Sequence, residues 1–118
     1  MKVLFVSNDP MIFDAASAAR GRMRAYAANI GELHIVSPAN KDAGEEQDGN
    51  LFLHPSHAWK IFRISALTRK AHALILEKKI EVVSAQDPFE HGLAALRAAQ
   101  GTGAKLHIQV HTDFLSPW

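Results

Sequence analysis

The sequence has no cysteine, so neither a disulfide nor a thiolate metal site is available to it. Long apolar runs are missing too. The opening one, Val3 to Val6, is stopped by Ser7-Asn8-Asp9-Pro10 and is too short for a signal-peptide core or a membrane span. Neither sign of charge dominates: 13 Lys and Arg face 12 Asp and Glu, leaving a net charge of +1, which gives no global field to hold nucleic acid. There is no G-x-G-x-x-G, and Gly21 falls inside a helical segment, which argues against dinucleotide binding of the dehydrogenase kind. G-x-S-x-G is absent, against a serine hydrolase. The segment Leu51 to Leu53 runs into His54 rather than an aspartate, against a phosphoacceptor receiver. Repeats and low-complexity tracts are also absent. These absences leave a soluble chain, read as cytoplasmic, with peripheral contact at a membrane face left open.

What is present is a regular alternation. The 118 residues suffice for one domain with a core, not two. Lys2 to Val6 is a β-branched and aromatic run that predicts a buried parallel strand. Ala16 to Ile30 has helical period, with Ala19, Met23, Tyr26, Ala27 and Ile30 on the apolar stripe, Arg20 and Arg24 off it, and Gly31 as the stop. Leu33 to Val36 predicts a second strand. Asn40 to Asn50 is polar almost throughout and predicts a solvated loop. Leu51 to Leu53 is a short third strand. Pro55-Ser56 then opens a long helix, with Ser56 as N-cap and Trp59, Phe62, Ala66, Leu67, Ala71, Leu74 and Ile75 as its stripe.

Glu81 to Ala85 is the fourth strand. Asp87-Pro88-Phe89-Glu90 begins the next helix by a capping box with proline at the first helical position. Lys105 to Val110 is the fifth strand. Helices alternating with apolar strands call for crossover connections, hence an α/β domain with a Rossmann-like, doubly wound parallel sheet of about five strands. The usual order for such a sheet is 3-2-1-4-5. The chain stops eight residues after Val110, where a covering helix is expected, so the domain reads as incomplete at its C-terminus, with an exposed edge open to a partner or a second copy.

In an open doubly wound sheet, ligands bind outside the carboxyl ends of the strands. In that order the first, fourth and fifth strands are neighbours, and their exits carry Ser7-Asn8-Asp9, Gln86-Asp87 and His111-Thr112-Asp113. Asn8 and Asp9 suit the hydroxyl groups of a ligand, or plain turn chemistry before Pro10. Asp87 doubles as an N-cap, whereas Gln86 has no such duty. Ser17, Arg20 and Arg22 lie at the start of the first helix, where backbone N–H groups and guanidinium groups suit a phosphate or carboxylate; a solvated basic face looks the same. His111 is placed to hydrogen-bond a hydroxyl or move its proton, or simply to pack at a strand end. A metal site from His107, His111 and Asp113 matches no trusted spacing, and no metal is expected. The long helix carries Lys60, Arg63, Arg69 and Lys70 beside Trp59, Ile61 and Phe62, which suits either an anionic membrane surface or a packed helix with a solvated outer face.

Three stretches, D-A-A-S-A-A-R-G-R-M-R-A-Y from Asp14, A-Q-D-P-F-E-H-G from Ala85 and I-Q-V-H-T-D-F-L-S-P from Ile108, resemble the N-terminal domain of bacterial glycosyltransferases of family four, with the GT-B fold. The resemblance implies the acceptor-side half of a retaining, metal-free enzyme. Such an enzyme moves a sugar from a nucleotide-sugar co-substrate to a glycan or lipid acceptor. It implies His111 as the catalytic residue at the cleft, with Gln86 and Asp87 facing it; Asn8, Asp9, Ser17, Arg20, Arg22 and Asp113 are the further acceptor- or substrate-binding candidates. The family's Gly-Gly pair is replaced by Asp14-Ala15-Ala16-Ser17. The donor-binding domain, expected beyond Trp118, is not in this sequence, so the chain is expected to be inactive alone. The other reading is a non-enzymatic Rossmann-like module for binding or oligomerisation.

Overall fold

The computed structural model describes residues 1–7, 10–39, 43–57, 63–85 and 90–108. Their elements are β1 (Lys2–Val6), a 3-10 helix (Pro10–Phe13), α1 (Ala18–Ile30), β2 (Glu32–Pro38), β3 (Glu46–Asp48), β4 (Leu51–Ser56), α2 (Arg63–Lys78), β5 (Val82–Ala85), α3 (Glu90–Ala99) and β6 (Lys105–Ile108). The six strands form one sheet in the order β3-β4-β2-β1-β5-β6. All neighbours are parallel except β3, which runs antiparallel to β4. The five parallel strands therefore stand in the order that the alternation of strands and helices predicts, and the chain is an α/β domain of Rossmann-like form.

Each strand turns alternate residues to opposite layers. Val3, Phe5, Leu33, Ile35, Leu51 and Leu53 pack with Ile12, Ala19 and Ala27 on the α1 side. Leu4, Val6, Val36, Val83 and Ala85 pack with Leu67, Ala71, Leu74, Ile75, Ala95 and Ala98 on the side of α2 and α3. Both faces of the central strands are buried, which is why β1 reads as an unbroken apolar run. His72 joins the two helices of the second layer through a ring nitrogen 2.8 Å from the Ala98 carbonyl oxygen.

At the amino ends, Gly31 closes α1 and starts β2 in one step. Its N–H donates to the Ala27 carbonyl, and the next N–H, of Glu32, donates to the Met1 carbonyl at 3.1 Å. Gly31 has φ +115°, and a Cβ there would lie 3.1 Å from the Met1 nitrogen and 3.2 Å from its oxygen. Side chains avoid this backbone region, and backbone atoms block the space. Gly31→Ala is expected to cost about 2 kcal/mol in denaturant unfolding, within the range for backbone strain of this kind. Gly21→Ala is the control, because nothing lies within 4 Å of its Cβ position.

Three expectations need correction. The polar stretch 40–50 is not wholly a loop: Glu46–Asp48 pairs with Leu51–Leu53 as an antiparallel edge strand. Ser56 is no helix cap; it ends β4 and is buried, and α2 is assigned from Arg63. β4 tolerates Pro55 because β3 reaches only to the level of Leu53, so Pro55 has a neighbouring strand on one side only. Arg20 is not on a solvated face, for it is 2% exposed. On the predicted stripes, Ala19, Ala27, Leu67, Ala71, Leu74 and Ile75 are buried, Tyr26 is half exposed, and Trp59 and Phe62 lie outside the described residues.

Candidate functional site

The chain leaves β1 toward β2 on one side and arrives at β5 on the other, so the strand order reverses between β1 and β5. β1, β5 and β6 are neighbours and parallel, and their carboxyl ends emerge at one edge of the sheet. Of the residues expected to use that edge, Asn8, Asp9, Gln86, Asp87, His111 and Asp113 lie outside the described residues. The described residues beside the reversal are small. Ser7 follows β1 and is held by its N–H donating to the Val36 carbonyl at 2.9 Å. Ser37 is the penultimate residue of the neighbouring β2, and its hydroxyl donates to the Pro38 carbonyl. Ser84 and Ala85 end β5, and the Ser84 hydroxyl lies 3.4 Å from Nδ1 of His107 on β6. All four of these small residues are buried.

Ser17, Arg20 and Arg22 are described. Ser17 is the N-cap of α1, its hydroxyl accepting from the Arg20 N–H at 3.1 Å. Arg22 is exposed. Arg20 is engaged inside the chain. Its Nε–H donates to the Ile12 carbonyl, Nη2 lies 2.8 Å from Glu46 Oε2, and Nη1 lies 3.2 Å from Asp48 Oδ2. Arg24 reaches the same Asp48 oxygen from the surface. The Arg24 and Arg20 guanidinium groups hold the Asp48 carboxyl below the usual carboxylate range. Arg20 thus ties the 3-10 helix after β1 to the edge strand β3.

A second constellation was not expected from sequence. On the α2 side of the sheet, β2 and β4 set Glu32, His34 and His54 in line. The pairing register places His34 beside Phe52, and His54 beside Val36. His34 Nε2 lies 2.6 Å from Glu32 Oε2. His34 Nδ1 lies 2.9 Å from His54 Nε2. His54 Nδ1 lies 3.2 Å from Glu45 Oε1 but outside hydrogen-bonding geometry, and Lys70 Nζ on α2 holds that same oxygen at 2.6 Å. The His34 ring stacks on Phe52, with centroids 4.6 Å apart, and on His54.

Both imidazoles are buried, at 1% and 4% exposure, while the two carboxylates reach solvent. Burial pushes the pKa of His34 and of His54 below the ordinary histidine value, against the opposing pull of Glu32 on the first and Glu45 on the second. Glu32 is lowered chiefly by its bond from His34, and Glu45 chiefly by Lys70. Burial thus favours the neutral form of both histidines, and the line of side chains runs through the core between two carboxylates that reach solvent. The only hint in the sequence is that His34 and His54 each sit two residues from a neighbour on the same strand face. Without the register, nothing pairs them.

β3 joins both constellations. Glu45 points to the α2 layer, and Glu46 and Asp48 to the α1 layer, as strand alternation requires. Among the described residues, no group of three His, Cys, Asp or Glu is arranged to hold a metal, and no helix is long and apolar enough to cross a membrane.

No family model matches the sequence, and no curated protein matches it. Solved structures do. The C-terminal domain (residues 83–215) of a hydrogenase from Pyrococcus furiosus matches with a TM-score of 0.59 and 8% identity, over 92% of this chain and 90% of that one. A second structure of that domain, residues 78–226, matches with a TM-score of 0.56 and 7% identity, over 92% and 91%. At such identity the likeness concerns the fold alone.

The resemblance to family-four glycosyltransferases is corrected by these findings: no family model supports it, and the structural likeness is to a hydrogenase domain instead. The physical reason is visible in the first of the three stretches. Ser17 caps a helix, Ala19 and Ala27 pack it on the sheet, and Arg20 fastens β3. These are duties that any strand-to-helix crossover needs, so their residues carry little family information.

Proposed function

We propose that the chain is a Rossmann-like binding module that takes a small polar ligand, a nucleotide by chemical class, outside the carboxyl ends of β1 and β5. The observation supporting it is the reversal of strand order between those strands, the place where open α/β sheets leave a crevice. The described side chains at the ends of β1, β2 and β5 there, Ser7, Ser37 and Ala85, are small. Arg20 braces the 3-10 helix that follows β1, which keeps that wall in place without an added contact from the ligand. Binding is favoured in this reading by the titratable chain among the described residues, whose two imidazoles are buried in the core.

The test is a titration of the protein with nucleoside monophosphates, nucleoside diphosphates, a dinucleotide and a nucleotide-sugar, followed by backbone amide shifts. Saturable shifts centred on Ser7, Phe13, Ser17 and Ala85 are expected with one of them. Ser7→Leu, at a buried residue beside the reversal, is expected to weaken that binding at least about tenfold, or 1.4 kcal/mol, with its unfolding midpoint measured alongside to separate lost binding from lost fold. Shifts confined to other parts of the molecule, or none with any ligand, would reject the proposal.

A further inference from the structure

The His34–His54 pair is buried on the α2 side of the sheet, and its hydrogen atoms can be counted. The line Glu32–His34–His54–Glu45 has three links, each needing one hydrogen if both carboxylates are ionised. Two neutral imidazoles bring two hydrogens. Placing them on the two short links gives His34 Nε2–H donating to Glu32 and His54 Nε2–H donating to His34 Nδ1. His54 Nδ1 is then bare and faces a carboxylate oxygen. Two of the links have hydrogen-bond geometry, at 2.6 Å and 2.9 Å, and at the third a buried nitrogen lies 3.2 Å from the carboxylate oxygen outside that geometry. One more hydrogen, on His54 Nδ1, faces the Glu45 carboxylate and makes the third link once ring and carboxylate align. A fourth has no place, because His34 Nδ1–H and His54 Nε2–H would point at each other across 2.9 Å.

We propose that this line of side chains is a one-proton switch: the intact fold accepts a single proton shared by His34 and His54, and a second enters only when β2 and β4 separate at the pair. The first proton adds a bond from His54 to Glu45, the residue just before β3, and so tightens the edge strand's hold on the α2 layer. The second forces the two imidazoles apart and opens that edge. The groups around the pair are Glu32 on β2, Phe52 on β4, Lys2 at the start of β1, Glu45 before β3, and Lys70 and Lys78 on α2. The carboxylates at both ends favour the first proton. The three ammonium groups and the first proton itself oppose the second.

The experiment follows the ring nitrogens of all histidines by long-range proton–nitrogen NMR on the full chain, from pH 8 to 4.5. At pH 8, His34 and His54 are both expected as Nε2–H tautomers. On acidification their signals are expected to move together in one coupled step worth one proton, with the amides of Leu33, Ile35 and Leu53 unmoved. A second proton is expected only together with loss of amide-exchange protection on β2 and β4. Glu45→Gln changes an exposed carboxylate and spares the fold. It is expected to weaken uptake of the first proton about tenfold, while Lys70→Gln, which releases Glu45 to His54, strengthens it. Two independent steps with the β2–β4 ladder intact would overturn the proposal. So would a first step that Glu45→Gln leaves in place.

Discussion

Arg20→Ala is expected to unfold at markedly lower denaturant, losing about 3 kcal/mol, with β3 the first element to lose amide protection. The guanidinium is 2% exposed and fills three acceptors at once: the Ile12 carbonyl, Glu46 and Asp48. Removing it leaves a buried carbonyl without its donor and a void beside α1, each of which costs a kilocalorie or more. It also leaves two carboxylates facing each other. Those side chains are 43% and 31% exposed, so water screens them, and the loss falls at the low end of that for a fully buried pair. Arg24→Ala removes a bond to the same Asp48 from a side chain 44% exposed, and is expected to cost less than about 1 kcal/mol. Arg20→Lys falls between, since one ammonium cannot span three acceptors. Equal losses for the two alanine variants would show that charge alone, not the buried fork, matters at this site.

The same arginine marks where sequence reasoning stops. A helical wheel places Arg20 off the apolar stripe and predicts a solvated face, while composition predicts a solvated loop at 40–50. The two errors are one fact. Arg20 is buried because Glu46 and Asp48 come to it, and Glu46 to Asp48 is a strand partly because Arg20 receives them. Complementary partners 26 and 28 residues apart leave no periodic trace. What periodicity does carry was legible: the five parallel strands and their order, the extent of α1 to within two residues, and most of the buried stripe of α2 follow from apolar spacing and crossover rules. Ser56 was misread because Pro-Ser before an amphipathic run is also a helix start, and only the short reach of β3 makes Pro55 tolerable in a strand. The reversal between β1 and β5 was legible as topology. The polar residues named for it in sequence lie outside the described residues, and the described ones beside it are Ser7, Ser37 and Ala85.

Replacing both histidines of the buried line should be milder than replacing one. His54→Leu leaves His34 Nδ1 buried with no donor, a loss of about 1–3 kcal/mol at pH 8. His34→Leu strands the His54 Nε2–H in the same way. The double variant His34→Leu/His54→Leu removes both orphans together, and its carboxylate ends, Glu32 and Glu45, already reach water. It is expected within about 1 kcal/mol of the parent at pH 8, so the two single losses do not add. The acid response separates the variants further. Burial holds both histidines below their unfolded value of about 6.5, so the unfolded chain binds more protons than the folded one as pH falls through that value. Stability is therefore full above about pH 6.5 and declines as pH drops toward the lowered folded values, before the carboxylates begin to titrate. Denaturant midpoints at pH 8 and pH 5.5 are expected to diverge in the parent and to draw together in the double variant. An unchanged gap would mean that the acid response originates elsewhere, and that the line from Glu32 to Glu45 is a packing feature with no proton to trade.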